Sequence, residues 1–384
     1  MRDSPFMVDK ALRVVALTAL LVLAVPALAW AQAPRLPAFR PDVTFGVVFD
    51  DNVLARPEAT GDIFMRLTPG FDLRHESTRV SLGAGLRFDA ERYQERSDLN
   101  TAVARQATGF DLTWRPNRRF AVTSRAGYQR TQTPQDLNVT TGLTGGRQQA
   151  SRVDAAAGVE RTLRPGRRLS LGGEYGYDDL RVGLDSEVRR ATVRYTHQLN
   201  ARSELALSYR FEDRQFRPGP LVRSHLGLIT WSHLLTLARR LVLEGGPRVV
   251  DGELRPDVTV SLTQTVSSVT SFTVGYSHTQ DVAIGIVGLL KLDRLSASVT
   301  ARRGRRWEAS FGGGAFRNVQ TSLETLAYDV FGSLGRSLTD AAWLVVSVNR
   351  TLNELRAPGT TLPGSTIRRN TALISLRIAP WRPR

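Results

Sequence analysis

The residues best able to ligate a metal or move a proton are five histidines: His75, His197, His225, His233 and His278. A metal-dependent hydrolase would set two of them one helical turn apart around a glutamate, as in His-Glu-x-x-His, and none is so placed. The chain has no cysteine, which removes thiolate chemistry, Cys-ligated metals and disulfides together. The stretches "SRVDAA" (151–156) and "YSHTQD" (276–281) supply serine, histidine and acid, the ingredients of a nucleophilic triad. A polar channel wall would hold the same types. An outer-membrane hydrolase would require a serine, a histidine and an acid within hydrogen-bond reach at one rim. Two acidic clusters, "FDDNV" (49–53, with Asp50, Asp51 and Asn52) and "YDDLR" (177–181, with Asp178 and Asp179), fit a divalent-cation site, a sugar-binding rim or a carboxylate pair. They equally fit strand-end turns in which Asp and Asn bond their own backbone. The chain is read as non-enzymatic, with no catalytic residue, metal or cofactor assigned.

What must position these residues is a repeated strand. In "SLGAGLRFDAERY" (81–93), Leu82, Ala84, Leu86, Phe88 and Ala90 alternate with Ser81, Gly83, Gly85, Arg87, Asp89 and Glu91. Such a strand presents one apolar and one polar face. The same period of two runs through "DVTFGVVFDD", "LSLGGEYGYDD", "SFTVGYSHTQ", "WLVVSVNRT" and "NTALISLRIA", with no comparable helical period. The pattern predicts an all-β, antiparallel transmembrane barrel of about eighteen strands, each of the length a tilted strand needs to cross a bilayer. Sixteen strands stay open, because 222–251 alternates poorly.

Export signals agree with a membrane destination. Lys10 and Arg13 precede an apolar run ending Ala29-Trp30-Ala31, which reads as a cleaved signal peptide over 1–31. A short periplasmic segment (32–41) and the barrel (42–384) follow. Short arginine-rich turns such as "RPNRR" (115–119), "RPGRR" (164–168) and "RRGRR" (302–306) alternate with longer loops around 133–148, 179–188, 214–222, 281–290 and 353–367. Short turns belong on the periplasmic side and long loops outside. Tyr93, Trp114, Trp307, Trp343 and Trp381 fall near segment ends and are expected on the apolar face, as interfacial girdles. The formal charge is +16, and the mature chain keeps about +15 because Arg2, Lys10 and Arg13 outnumber Asp3 and Asp9 by one in the signal. Nucleic acid is excluded as the partner by the export signal and by where the arginines lie. Those of the short turns nearly equal the excess and would face anionic outer-membrane lipids of the inner leaflet. The bore is then close to balanced, with Arg66, Arg87, Arg125, Arg194 and Arg210 set against Asp72, Asp89, Glu91, Glu174 and Glu212.

The opening "FGVVFDDNVLARPEATGDIFMRLTPGFDLR", followed by "LGAGLRFDAERYQERSDLN", resembles the β-barrel porins of exopolysaccharide loci. The features that carry the resemblance are Phe49, Asp51, Asn52, Pro69, Gly70, Tyr93 and Asp98. It covers about the first seventy mature residues by motif and the rest by architecture alone. The resemblance implies an outer-membrane pore through which a secreted polysaccharide leaves, docked to a periplasmic polysaccharide-export protein. One departure is the C-terminus, "APWRPR", where Trp381 stands three residues short of the terminal aromatic common in such barrels. The alternative to export is a general or substrate-specific diffusion porin. A ladder of sugar-stacking aromatics in the bore would favour a glycan, and a narrow loop constriction with opposed charges would favour small solutes.

Overall fold

The computed structural model describes residues 38–379, except 144–145, 181–184, 305, 321–322 and 357–364. Residues 1–31, read as a signal peptide, and Trp381 lie outside the described residues. The first half of the chain forms β1 (Ala38–Asp50), β2 (Asp62–Glu76), β3 (Val80–Tyr93), β4 (Thr101–Asn117), β5 (Phe120–Thr131) and β6 (Ala150–Arg164). Next come β7 (Arg167–Leu180), β8 (Asp185–Gln198), β9 (Ser203–Arg217), β10 (Leu221–Thr236), β11 (Arg239–Val250) and β12 (Glu253–Ser267). The last six are β13 (Thr270–Asp281), β14 (Leu290–Arg303), β15 (Trp307–Gln320), β16 (Leu323–Ser337), β17 (Ala342–Arg356) and β18 (Ser365–Ile378). Each pairs antiparallel with its neighbours in sequence, and β1 pairs with β18 from Val43↔Ile378 to Asp50↔Thr371. The eighteen-stranded sheet is thereby closed. Its first strand starts at Ala38, ahead of the position 42 expected from alternation alone.

Closure follows from what hydrocarbon permits. An unpaired N–H or C=O in lipid costs several kcal/mol, so a sheet that crosses a bilayer must have no edge. The side chains sort as the alternation predicts. Phe45, Val47, Met65, Ile374 and Phe311 are exposed outward, forming an apolar belt, while Asp42, Arg66, Asp72 and Ser375 take the inward phase. This is the architecture of an outer-membrane barrel. With an even strand number the start of β1 and the end of β18 share one end, and every connection from an even strand to the next odd one is short: 77–79, 118–119, 165–166, 199–202, 237–238, 268–269, 304–306 and 338–341. That is the periplasmic end.

One open point is settled and two expectations are corrected. The stretch 222–251 forms β10 and β11, so eighteen strands stand and sixteen do not; its period is masked because Leu226 and Leu228 turn inward among the polar residues. Of the loops foreseen at 179–188 and 214–222, residues 179–180, 185–188, 214–217 and 221–222 are strand, since β7 to β10 continue outward. Their charged extensions are braced by Arg189–Glu187 at 2.7 Å and Arg217–Glu187 at 3.3 Å, which mimic loop composition in sequence. Tyr93 and Trp343 leave the girdle: Tyr93 shares the inward phase of Asp89 and Glu91, and Trp343 that of Ser347 and Asn349. Trp114 and Trp307 keep the outward phase.

A charge at the belt's mid-height should separate the faces. Val346→Arg, on the outward face of β17 between Leu334 and Ile374, is expected to destabilise the barrel by about 2–4 kcal/mol in lipid vesicles, against about 1 kcal/mol or less for the inward Ser298→Arg. Denaturant unfolding followed by tryptophan fluorescence checks this; equal losses at both positions would contradict the assignment of faces.

Candidate functional site: the bore and its loops

All ten residues nominated for the bore take the inward phase, and the sheet register brings most of them together. Arg66 meets Glu91 at 2.8 Å and Asp89 at 3.6 Å. Arg87 bonds Asp72 at 2.6 Å and reaches Asp42 at 3.4 Å. Arg125 pairs with Glu174 at 3.2 Å, and Arg190 bridges Glu174 at 3.4 Å and Glu212 at 2.6 Å. Cross-strand opposition explains the choice of partners: Arg66 lies directly opposite Glu91, and Arg190 opposite both Glu174 and Glu212. Arg194 and Arg210 take part in no ion pair among the described residues. Sequence reading missed Arg190, Arg152, Arg248, Asp257, Arg294 and Arg369, although the period of two marks each as inward.

The rim clusters are split by that same alternation. Asp50 turns in and binds Arg369 at 2.6 Å, whereas Asp51 turns out and holds the Asn370 amide group at 2.5 Å. Asn52 is buried, donating to the Arg56 and Arg368 carbonyls at 2.7 and 2.8 Å. It ties the β1–β2 turn to β18. Asp178 turns in to Arg152 at 2.6 Å, and Asp179 turns out. Neither cluster gathers its carboxylates on one side. Among the described residues, no group of three or more His, Asp or Glu could hold a metal ion. Ser203 Oγ lies 2.8 Å from His233 Nδ1, at the periplasmic end, and His278 Nδ1 lies 2.7 Å from Asp293, at the outer end. These are two separate pairs on the outer surface, and no Ser–His–acid chain joins them.

Two long outer loops do not stand away from the barrel; they fold into it. Residues 132–143, following β5, cross to the far wall, where the Asn318 side chain donates to the Thr141 carbonyl at 2.9 Å. There Gly142 has φ +64°, and a Cβ would sit 2.8 Å from the Phe316 ring, so only glycine permits the close approach. Residues 282–289, from β13 to β14, cross the other way, packing Val282 with Phe216, Val222 and Val250, and Ile284 with Leu180. The loops meet where the Ile284 N–H donates to Asn138 Oδ1 at 2.8 Å. Leu143, Ala283 and Leu290 seal the contact.

Charged contacts fix the flanks of the first loop. Asp136 binds Arg105 at 2.8 Å. Arg147 donates to the Tyr93 hydroxyl at 2.7 Å, lies over its ring, and faces Glu91 at 3.5 Å; Tyr93 in turn donates to Glu91 at 2.8 Å. Phe64 stacks on Tyr93 with ring centroids 4.4 Å apart. The inward tyrosine is therefore an anchor for the loop. Beneath the loops lie a cavity of about 780 Å3, lined by Arg66, Arg105, Arg294, Asp329 and Phe331, and a smaller one of about 220 Å3. The smaller faces four arginines (Arg190, Arg210, Arg214, Arg248) and four carboxylates (Glu212, Glu244, Asp257, Asp281), so its lining is balanced.

No protein-family model and no curated protein sequence matches the chain. Solved structures with a similar path include the outer membrane protein OpdK of Pseudomonas aeruginosa, at 13% identity and TM-score 0.48, covering 90% of this chain and 99% of that one. OpdQ of the same organism gives 10% identity and TM-score 0.46, over 90% and 98%. The siderophore receptor PirA of P. aeruginosa gives 11% and 0.46, over 91% and 82%. Likeness at this level assigns neither family nor substrate.

If the inward loops form the narrowest passage, deleting residues 134–143 should raise single-channel conductance in planar bilayers roughly two-fold or more. Unchanged conductance would place the constriction elsewhere.

Proposed function

We propose that the protein is an outer-membrane diffusion pore for small hydrophilic solutes. The observation that carries this reading is the meeting of the two inward loops at Asn138 and Ile284, above cavities of mixed charge. Eighteen strands alone enclose a bore wide enough for water and solutes. The loops narrow it, and opposed charges line what remains, the arrangement suited to sorting small polar molecules by size and charge.

Export of a polysaccharide with a periplasmic partner is what the N-terminal resemblance implies, and it makes different demands on the bore. A sliding glycan favours a continuous file of aromatic faces. Three of the inward aromatics have other work: Tyr93 and Phe64 hold the loop, and Arg294 lies over Phe316 at 5.3 Å. A polymer would also require both loops to withdraw, breaking the ion pairs and apolar contacts that seat them. Small-solute passage needs no such step, so it is the preferred reading.

Proteoliposome swelling separates the two. Vesicles carrying the protein should swell in monosaccharides and amino acids, with rates falling steeply as solute size grows, and a deletion strain should secrete normal amounts of polysaccharide. No swelling with any small solute, together with loss of secreted polysaccharide on deletion, would overturn the proposal in favour of export.

A further inference from the structure

The outward face distributes its charges unevenly. At several outer strand ends an outward arginine has an acid beside it: Arg189–Glu187 at 2.7 Å, Arg223–Asp213 at 3.8 Å, Arg317–Glu324 at 2.7 Å and, at the tip of β17, Arg356–Glu354 at 2.9 Å. The pattern breaks across the seam where β17 and β18 meet β1 to β3. Arg92 on β3, Arg350 on β17 and Arg368 on β18 are exposed, and none has an ion pair among the described residues. Arg350 lies opposite Asn370, two residues from Arg368 on the same face, so these two are diagonal neighbours.

Arg92 also heads a groove. It is the penultimate residue of β3, at the outer end, and from it an apolar depression of about 460 Å3 runs across the seam to Leu344, near the periplasmic start of β17. Met65, Leu67, Val47, Ile374 and Leu376 form its walls. Ala90, opposite Leu67, leaves room where a larger side chain would fill it. Arg92 is the one charged side chain of outward phase on this lining, since Arg66 and Glu91 turn into the bore.

We propose that this seam binds a lipopolysaccharide molecule of the outer leaflet, with an acyl chain in the groove and its phosphates on Arg92, Arg350 and Arg368. A guanidinium at the edge of hydrocarbon is costly unless it meets an anion or reaches the interface. At the outer end of the barrel the lipid phosphates supply that anion, and the planar fork of arginine suits them. Lys291, at the outer start of β14, is also exposed without an ion pair among the described residues; what distinguishes the seam is its conjunction of unpaired arginines with an apolar groove, which is complementary to an anionic head above a fatty chain.

The test is lipid retention. The full barrel is extracted from outer membranes in mild detergent, and lipopolysaccharide is measured per barrel from its 3-hydroxy fatty acids. The wild type should retain about one molecule or more, and R92E/R350E/R368E should lose about five-fold or more of it. A90W, which fills the groove and leaves the arginines in place, should also retain less. R223E, at a rim position where the protein provides its own acid, should retain the wild-type amount. Absence of lipopolysaccharide from the wild type, equal retention in all variants, an equal loss in R223E, or retention of zwitterionic phospholipid instead would each overturn the proposal. If the triple variant does not assemble into a heat-modifiable barrel, the wild type, A90W and R223E decide.

Discussion

A peptide group in hydrocarbon has no water to bond, and the remaining features of this molecule follow from meeting that demand with strands. The pairing of β1 with β18 removes the last free edge. Once the cylinder is closed, the two-residue period has only one use: apolar side chains face lipid and the others face the bore. The absence of cysteine costs nothing in such a frame, because the ladder of backbone bonds is itself the clamp.

The bore inherits its chemistry from the same register. Because residues opposite one another share a face, arginines and carboxylates on neighbouring inward positions find one another across the strands, as Arg87 finds Asp72 and Arg190 finds Glu212. Ion pairs in contact with water contribute about 0–1 kcal/mol each, so they do little for stability. Their effect is on the passage, where they replace bare charges with a balanced field. Buried pairs such as Arg248–Asp257 carry a desolvation cost that offsets their attraction, and they fix side-chain positions more than they strengthen the wall. The loops add the third element, since residues 132–143 and 282–289 turn an open cylinder into a restricted one.

Much of this was legible in the alternation. Arg66, Asp72, Arg87 and Glu91 were placed inward by counting in twos, and the short periplasmic turns were marked by their arginines. Tyr93 was misplaced because a girdle was expected of an aromatic at a strand end, although its own phase with Asp89 and Glu91 pointed inward. Leu226 and Leu228 hid two strands by breaking the polar half of the pattern. The inward course of the loops could not be read at all. It depends on contacts such as Asn138 with Ile284 and Thr141 with Asn318, between residues more than a hundred positions apart. Local composition there looks like that of any long surface loop.

The natural absence of cysteine makes the central claim directly measurable. Single cysteines placed in turn from 326 to 334 along β16, in folded protein held in lipid vesicles, can be exposed to a water-soluble thiol reagent that does not enter the bilayer. The account predicts a period of two, with labelling at 327, 329, 331 and 333 and protection at 326, 328, 330, 332 and 334. Uniform labelling, or labelling at the even positions instead, would contradict a cylinder with an apolar exterior and a wet bore.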